Sequence, residues 1–163
     1  MERVVAWLGE KLPPSGAPTL VHNDYKLDNV MMRPDASAVE AVLDWEMTTL
    51  GDPLADLGLT MCYWSWASQA AKDDPHPATP VITTEPGWYT RDEFLHRYAM
   101  RTGRDVTHVG YHEVLGVFKL AVILQQIYYR FRCGQTQDER FRHFDVRVRG
   151  LVKMAAGLME RNA

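Results

Sequence analysis

His22-Asn23-Asp24-Tyr25-Lys26-Leu27-Asp28-Asn29 sets a carboxylate and a carboxamide five residues apart, in the pattern H-x-D-x-x-x-x-N. Further on, Leu43-Asp44-Trp45-Glu46 adds a second carboxylate at the end of an apolar stretch. Phosphoryl transfer to a hydroxyl asks for such a set. A carboxylate orients or deprotonates the attacking hydroxyl, oxygen ligands hold Mg²⁺ against the phosphates, and the geometry stays fixed while charge develops on the transferring group. Mg²⁺ is a hard cation that takes oxygen ligands and keeps several waters. An isolated H-x-D would serve equally well as a loop-capping pair, because short polar side chains bond neighbouring backbone groups. Asn29 and Asp44 are what turn the pattern toward chemistry.

These side chains need elements to hold them. Residues 2–12 read as a short amphipathic helix with Val4, Trp7, Leu8 and Leu12 on one stripe, ended by Pro13-Pro14. Thr19-Leu20-Val21 is a strand leading into the His22 loop, Val30-Met31-Met32 is a second, and Val39 to Leu43 is a third that ends on Asp44. Pro34-Asp35-Ala36-Ser37 is a turn signal between the last two. The expectation is a compact β element with polar residues at its ends. Asp52-Pro53 then opens a helix running to about Trp66, with Asp52 as its cap rather than a reacting group. Residues 67–89 carry four prolines and read as a long loop. Thr90-Arg91-Asp92-Glu93 has capping-box spacing and starts a helix ending near Gly103. From Val109 to Phe131 apolar residues cover nearly every face, which predicts a central buried helix. A last helix is expected from Glu139 to Glu160, with Phe141, Phe144, Val148, Leu151, Val152 and Ala155 inward. The fold class expected is α+β, mostly helical, in one domain over residues 1–163. The chemistry lies in 20–58 and the helical part in 90–162.

His22-x-Asp24-x-x-x-x-Asn29, Leu43-Asp44-Trp45-Glu46 and Gly51-Asp52-Pro53-x-x-Asp56-Leu57, in that order, resemble the aminoglycoside phosphotransferase and choline kinase-like superfamily. The local wording is most similar to the phosphotransferase domains linked to acyl-CoA dehydrogenases. The resemblance implies the C-terminal catalytic lobe of a protein-kinase-like fold, with ATP as co-substrate and Mg²⁺ as cofactor. It implies Asp24 as the catalytic base, Asn29 and Asp44 as Mg²⁺ ligands, and His22 as a brace on the loop. Lys26 would neutralise phosphate charge, Asp56 would accept backbone amides of the catalytic loop, and Glu46 would line the metal or substrate pocket. Many family members have glycine where this chain has Asn23 and Asp28. The implied acceptor is a small hydroxylated compound, with a hydroxyacyl-CoA as one form of it.

A kinase of this kind also needs a nucleotide lobe with a glycine-rich loop and a strand lysine. Before His22 the only glycines are Gly9 and Gly16, and the only lysine is Lys11 beside Pro13-Pro14. The expectation is a truncated enzyme, its N-lobe absent or supplied by another chain, and therefore inactive or weakly active alone. The competing expectation is a non-catalytic interaction module descended from such a kinase. Apolar surface bared near the first helix and the β element predicts a homodimer, with exchange of the N-terminal helix as one form.

The rest of the chain argues for blander roles. A net charge of −3 gives no reason to expect a nucleic-acid partner. The apolar run from Val114 to Ile127 contains Lys119, Gln125 and Gln126 and reads as too short and polar for a membrane span. With no signal-peptide pattern at the start, a cytoplasmic location is expected. Cys62 and Cys133 sit in apolar helical patterns and read as buried thiols. His108 and His112 are four apart, which can bind zinc, but without a third ligand they read as a polar helix face. Arg130, Arg132, Arg140, Arg142, Arg147 and Arg149 read as a solvated face paired with Asp138, Glu139 and Asp145, in preference to an anion site. Trp64, Trp66, Trp88 and Tyr89 suit either a pocket wall or core packing.

Overall fold

Two small antiparallel sheets, not one β element, carry the polar loops. In the computed structural model, residues 1–70 and 82–162 are described. Helix α1 spans Glu2–Glu10, and four strands follow it: β1 (Thr19–Val21), β2 (Val30–Met32), β3 (Val39–Val42) and β4 (Thr49–Gly51). Helices α2 (Leu54–Ala70), α3 (Arg91–Thr102), α4 (Val109–Arg132) and α5 (Phe144–Arg161) complete the chain. β1 pairs with β4 in the register Leu20↔Leu50, and β2 pairs with β3 in the register Met31↔Ala41. β4 escapes a sequence reading because three residues ending in glycine carry no alternation to detect.

The helix starts follow their caps. Asp52 Oδ1 accepts the Leu54 amide at 2.8 Å, while Oδ2 accepts the Ser15 hydroxyl at 3.1 Å. Thr90 and Glu93 form the reciprocal capping box, and Gly103 closes α3 at φ 69°. The Pro34–Ser37 turn is tied by Asp35 Oδ1, which accepts from the Ser37 amide and hydroxyl. α2 runs past Trp66 to Ala70. The middle of the anticipated loop, 71–81, and the Trp66 side chain lie outside the described residues. The last helix begins later than expected: Glu139–Phe141 is a separate 3-10 turn, capped by Asp138.

α4 is the spine. Its first half buries Val109, Val114, Val117 and Ala121, but Tyr129 near its end is 63% exposed. The expected single long helix is present, with its burial concentrated in that first half. One cluster joins α1, α2, α4 and α5 through Val4, Leu8, Cys62, Val117, Leu151 and Ala155. A second joins α2, α3 and the start of α4 through Leu57, Met61, Leu95 and Val109. At 24 residues α4 is long and apolar enough to cross a bilayer by length and composition, contrary to the sequence reading. Here it packs as the core helix of the fold.

α1 docks on its own chain. Trp7 stacks on Tyr111 with ring centroids 5.9 Å apart, and the Tyr111 hydroxyl donates to Leu8 O at 3.1 Å. An exchange of α1 between copies would have to break these contacts. Leu12, placed on the same stripe by periodicity, is instead exposed beyond the helix end.

α2 and α4 approach closely where side chains vanish. A Cβ on Gly58 would lie 2.4 Å from the backbone carbon of His112, and one on Gly116 would lie 3.2 Å from Cys62 Sγ and Leu59 Cα. Helix backbone cannot yield as a flexible side chain can. Gly58→Ala is accordingly expected to destabilise the fold by about 2–3 kcal/mol, a Tm loss of roughly 4–12 °C. An unchanged melting curve would show that the helices separate freely.

Cys62 is buried, and its thiol donates to Gly58 O at 3.1 Å. Burial, reinforced by Glu113, pushes that thiol far up. Cys133 is exposed, contrary to the sequence reading, because it follows the last turn of α4 where packing has ended.

His112 also departs from expectation. It is 6% exposed, not on a polar face, and neither ring nitrogen has a hydrogen-bond partner. His108 is exposed, and among the described residues no three His, Cys, Asp or Glu side chains gather as a metal site. Burial lowers the His112 pKa, with Asp52 opposing and His108 assisting. Above its ordinary value of ~6.5 neither the folded nor the unfolded chain protonates it, so its contribution is intact there. As pH falls below that value the unfolded chain binds a proton that the buried ring resists, and stability is lost. His112→Leu should flatten this acid-side loss, and removing unsatisfied nitrogens should add about 1 kcal/mol at pH 8. Melts of both proteins at pH 8 and pH 5.5 check this. Parallel pH dependence in the two would refute it.

Candidate active site

α2 presents Asp56, Thr60 and Tyr63 at i, i+4 and i+7, the spacing that puts side chains on one helix face. All three meet the His22–Asn29 loop. Asp56 Oδ2 accepts the His22 amide at 2.6 Å, and Oδ1 accepts the Asn23 amide at 2.7 Å. Thr60 Oγ1 lies 2.9 Å from Tyr25 O and 2.8 Å from Asp56 O. Tyr63 lies under Lys26, whose Nζ is 5.4 Å from the ring centroid. Burial first, then Asp24, Cys62 and Asp28, push the Tyr63 hydroxyl up to about 12.

Within the loop, Asp24 Oδ2 accepts from Lys26 Nζ at 2.8 Å and from Asn29 Nδ2 at 3.0 Å. Asn29 Nδ2 also donates to Asp24 O at 2.9 Å. Both amide protons of Asn29 thus face Asp24, so its carboxamide oxygen points away from them. The His22 ring has a defined tautomer. Nε2–H donates to Leu43 O at 2.8 Å, which leaves Nδ1 to accept the Asp24 amide at 3.3 Å. His22 is 3% exposed and packs 4.8 Å from the Trp45 ring.

The two loops are bound to each other by backbone. The Leu43 amide donates to Asn29 O at 2.8 Å, and Leu43 O takes the His22 ring. Asp44 is the next residue, exposed and held at φ 66° as the chain enters the 3-10 turn Trp45–Met47. Its left-handed conformation turns it out of the β2–β3 ladder beside Asn29. Glu46 sits on that 3-10 turn, exposed. The structure therefore brings Asp24, Lys26 and Asn29 into direct contact, braces their loop through His22 and Asp56, and ties it by backbone to Leu43, the residue before Asp44.

Asn23 is left-handed at φ 66°. The conformation explains why glycine suits this position, and asparagine is among the few other residues that adopt it readily. Its side-chain Nδ2 donates to Met47 O at 3.0 Å, joining it to the Asp44 turn.

A model of the phosphotransferase enzyme family matches residues 1–115, well over half of the chain and inclusive of both loops. The chain belongs to that family. This phosphotransferase chain is similar to acyl-CoA dehydrogenase family member 10 of Mus musculus, at 34% identity over 146 residues, covering 85% of this chain and 13% of that protein. Acyl-CoA dehydrogenase family member 11 of Gallus gallus is 29% identical over 166 residues, covering 99% of this chain and 21% of that protein. Among solved structures, a Ralstonia eutropha protein assigned as an aminoglycoside phosphotransferase superposes with a TM-score of 0.82 at 28% identity. That match covers 98% of this chain and 48% of the other. The chain thus spans under half of the matched structure and about an eighth to a fifth of these curated relatives.

Sequence reading missed Lys119 and Tyr63. Lys119 Nζ donates to Asn23 O at 2.8 Å. The available signal was a lone lysine inside an apolar helix, where an unpaired charge is costly. The tryptophans sort toward packing. Trp64 Nε1 donates to Tyr89 O at 2.8 Å, and Trp64 packs edge-on to Trp88 at 5.5 Å. The arginine face pairs as anticipated, Arg140 with Asp138, Arg142 with Glu139 and Arg149 with Asp145.

Proposed function

We propose that this chain is the catalytic lobe of an ATP-dependent phosphotransferase acting on a small hydroxylated acceptor, with Asp24 as the base. The observation that carries this reading is the double hydrogen bond on one oxygen of Asp24. Lys26 and Asn29 both hold Oδ2, which fixes the carboxylate plane and leaves Oδ1 to face an acceptor hydroxyl. A base held in one orientation meets the geometric demand of the reaction before any question of basicity.

The residues present fit Mg²⁺. Asn29 offers a carboxamide oxygen directed away from Asp24, and Asp44, one residue beyond the Leu43 that bonds Asn29, offers an exposed carboxylate, the sparse all-oxygen set that this ion takes alongside phosphates and water. When bound, Mg²⁺ would neutralise charge on the phosphates. Asn29 and Asp44 would hold it, His22 would fix Leu43 and thereby Asp44, and Asp56 would fix the amides that lead into Asp24. Lys26, bonded to Asp24, would accompany the transferring phosphoryl group. Glu46, exposed on the adjacent turn, would line the acceptor side. A hydroxyacyl-CoA is the acceptor we favour, given the acyl-CoA dehydrogenase relatives, and a cytoplasmic site of action goes with it.

The nucleotide lobe would come from a further segment or another chain. The exposed Leu20 and Leu50 on the β1–β4 sheet, 65% and 70% accessible, support the second reading of an interaction module. One experiment separates them. The chain, alone and joined to a nucleotide-binding segment, is given γ-labelled ATP, Mg²⁺ and a panel of hydroxylated acceptors. Label transfer by the joined form, and little by the chain alone, is expected. No transfer by either, with Mn²⁺ failing to broaden the Asn29 side-chain resonances, would favour the interaction module.

A further inference from the structure

Three polar groups of Asn23 are held, each by a different element. Its amide goes to Asp56 on α2, its side chain to Met47 O on the Asp44 turn, and its carbonyl accepts from Lys119 on α4. This residue is left-handed and directly precedes Asp24. A peptide at that point swings the Asp24 backbone if it is free to rotate. Lys119 is the one ammonium among these three tethers, and it arrives from the spine helix of the core.

The alternative for a lysine in an apolar helix is to extend its stem and place its charge in water. Lys119 does not. Its ammonium stops on a backbone carbonyl in a half-buried position. Burial lowers its pKa, while the carboxylates of Asp24 and Asp56 raise it. Both carboxylates favour the charged ammonium, so the cation on the Asn23 carbonyl also offsets negative charge around the loop.

We propose that Lys119 is a positioning residue of the catalytic loop, clamping the Asn23 carbonyl so that Asp24 is presented to the acceptor. The proposal rests on the phosphotransferase reading for its functional half. Its structural half stands alone and is tested apart from it.

Hydrogen exchange on this chain, in native form and as Lys119→Met and Lys119→Arg, tests the clamp. The His22 and Asn23 amides report it, with Leu151 in α5 as the reference. In Lys119→Met the two loop amides are expected to exchange about tenfold faster or more, with Leu151 unchanged, since loss of one charged tether loosens the loop locally. Lys119→Arg should restore most of the protection. Unchanged loop amides would overturn the proposal. So would acceleration of Leu151 to the same degree, which would mark Lys119 as a general stabiliser.

The joined enzyme then tests the role in turnover. Lys119→Met should lower kcat by about 10- to 100-fold and leave KM for ATP within twofold, with recovery in Lys119→Arg. A loosened loop with unchanged kcat overturns the positioning role. Absence of turnover in the native joined enzyme instead counts against the phosphotransferase reading, and the exchange result still decides whether Lys119 clamps the loop.

Discussion

Asp24→Asn is expected to lower kcat of the joined enzyme by about 10²–10⁴-fold, the range over which a positioned general base contributes. Asparagine keeps the shape of the side chain and an oxygen for Lys26 and Asn29 to bond. It cannot accept the acceptor's proton, and it removes the negative charge that Lys26 answers at 2.8 Å. The loss should therefore fall on kcat and leave KM for ATP near its native value, because Asp24 is not expected to contribute to nucleotide binding. The substitution is mild for the fold, since Asp24 is half-buried and Asp56 and Thr60 hold the neighbouring backbone independently. Steady-state kinetics with a melting curve as control is the measurement. Turnover within a few-fold of native would remove Asp24 from the role of base.

The second large effect lies outside the site. Arg91→Ala should destabilise the fold by about 3 kcal/mol, roughly 6–12 °C in Tm. Arg91 Nε and Nη2 hold the two oxygens of Glu113 at 2.7 and 2.6 Å, joining the start of α3 to α4. The Glu113 side chain is 5% exposed, so removing its partner leaves a carboxylate in the core with nothing to answer it. The Arg91 side chain is 35% exposed and water can partly follow its removal, which sets the effect at the lower end for a buried pair. The double variant Arg91→Ala with Glu113→Leu should recover most of the loss, because the cost belongs to the stranded charge. Urea unfolding of native, single and double variants forms the cycle. A single variant as stable as native would mean that Glu113 finds another partner.

The glycine pair and this ion pair serve one end. Gly58 and Gly116 let α4 lie against α2, and Arg91–Glu113 ties α3 to α4. α2 carries Asp56, Thr60 and Tyr63, while α4 carries Lys119. The His22–Asn29 loop is thus docked on two helices whose spacing is set by missing side chains, and a shift of either would move Asp24.

Much of this was legible in the chain. The order of the polar motifs pointed to the phosphotransferase family, which the family match over residues 1–115 bears out. The Asp52 cap and the Thr90–Glu93 box marked helix starts, since capping is a local transaction between a side chain and amides two or three residues on. Short apolar runs set off by polar loops and a turn signal marked β1, β2 and β3. What could not be read were the long-range pairings. β4 is defined only by its partner β1, some thirty residues upstream. His112 and Cys133 were misplaced because periodicity gives a helix face but not which neighbour covers it. Leu12 was misplaced because the helix ends before it.

What the sequence determined by itself is membership of the phosphotransferase family and which polar residues gather in the His22–Asn29 loop, since both depend on residue types at short spacing. What tertiary structure alone decided is how those groups are held. Asp56 under two amides, Lys119 on the Asn23 carbonyl and Leu43 between Asn29 and His22 join residues between 14 and 96 positions apart. Contacts of that range leave no trace in local pattern, because they form only when α2 and α4 have packed and brought their polar residues to the one loop that lacks a lattice of its own.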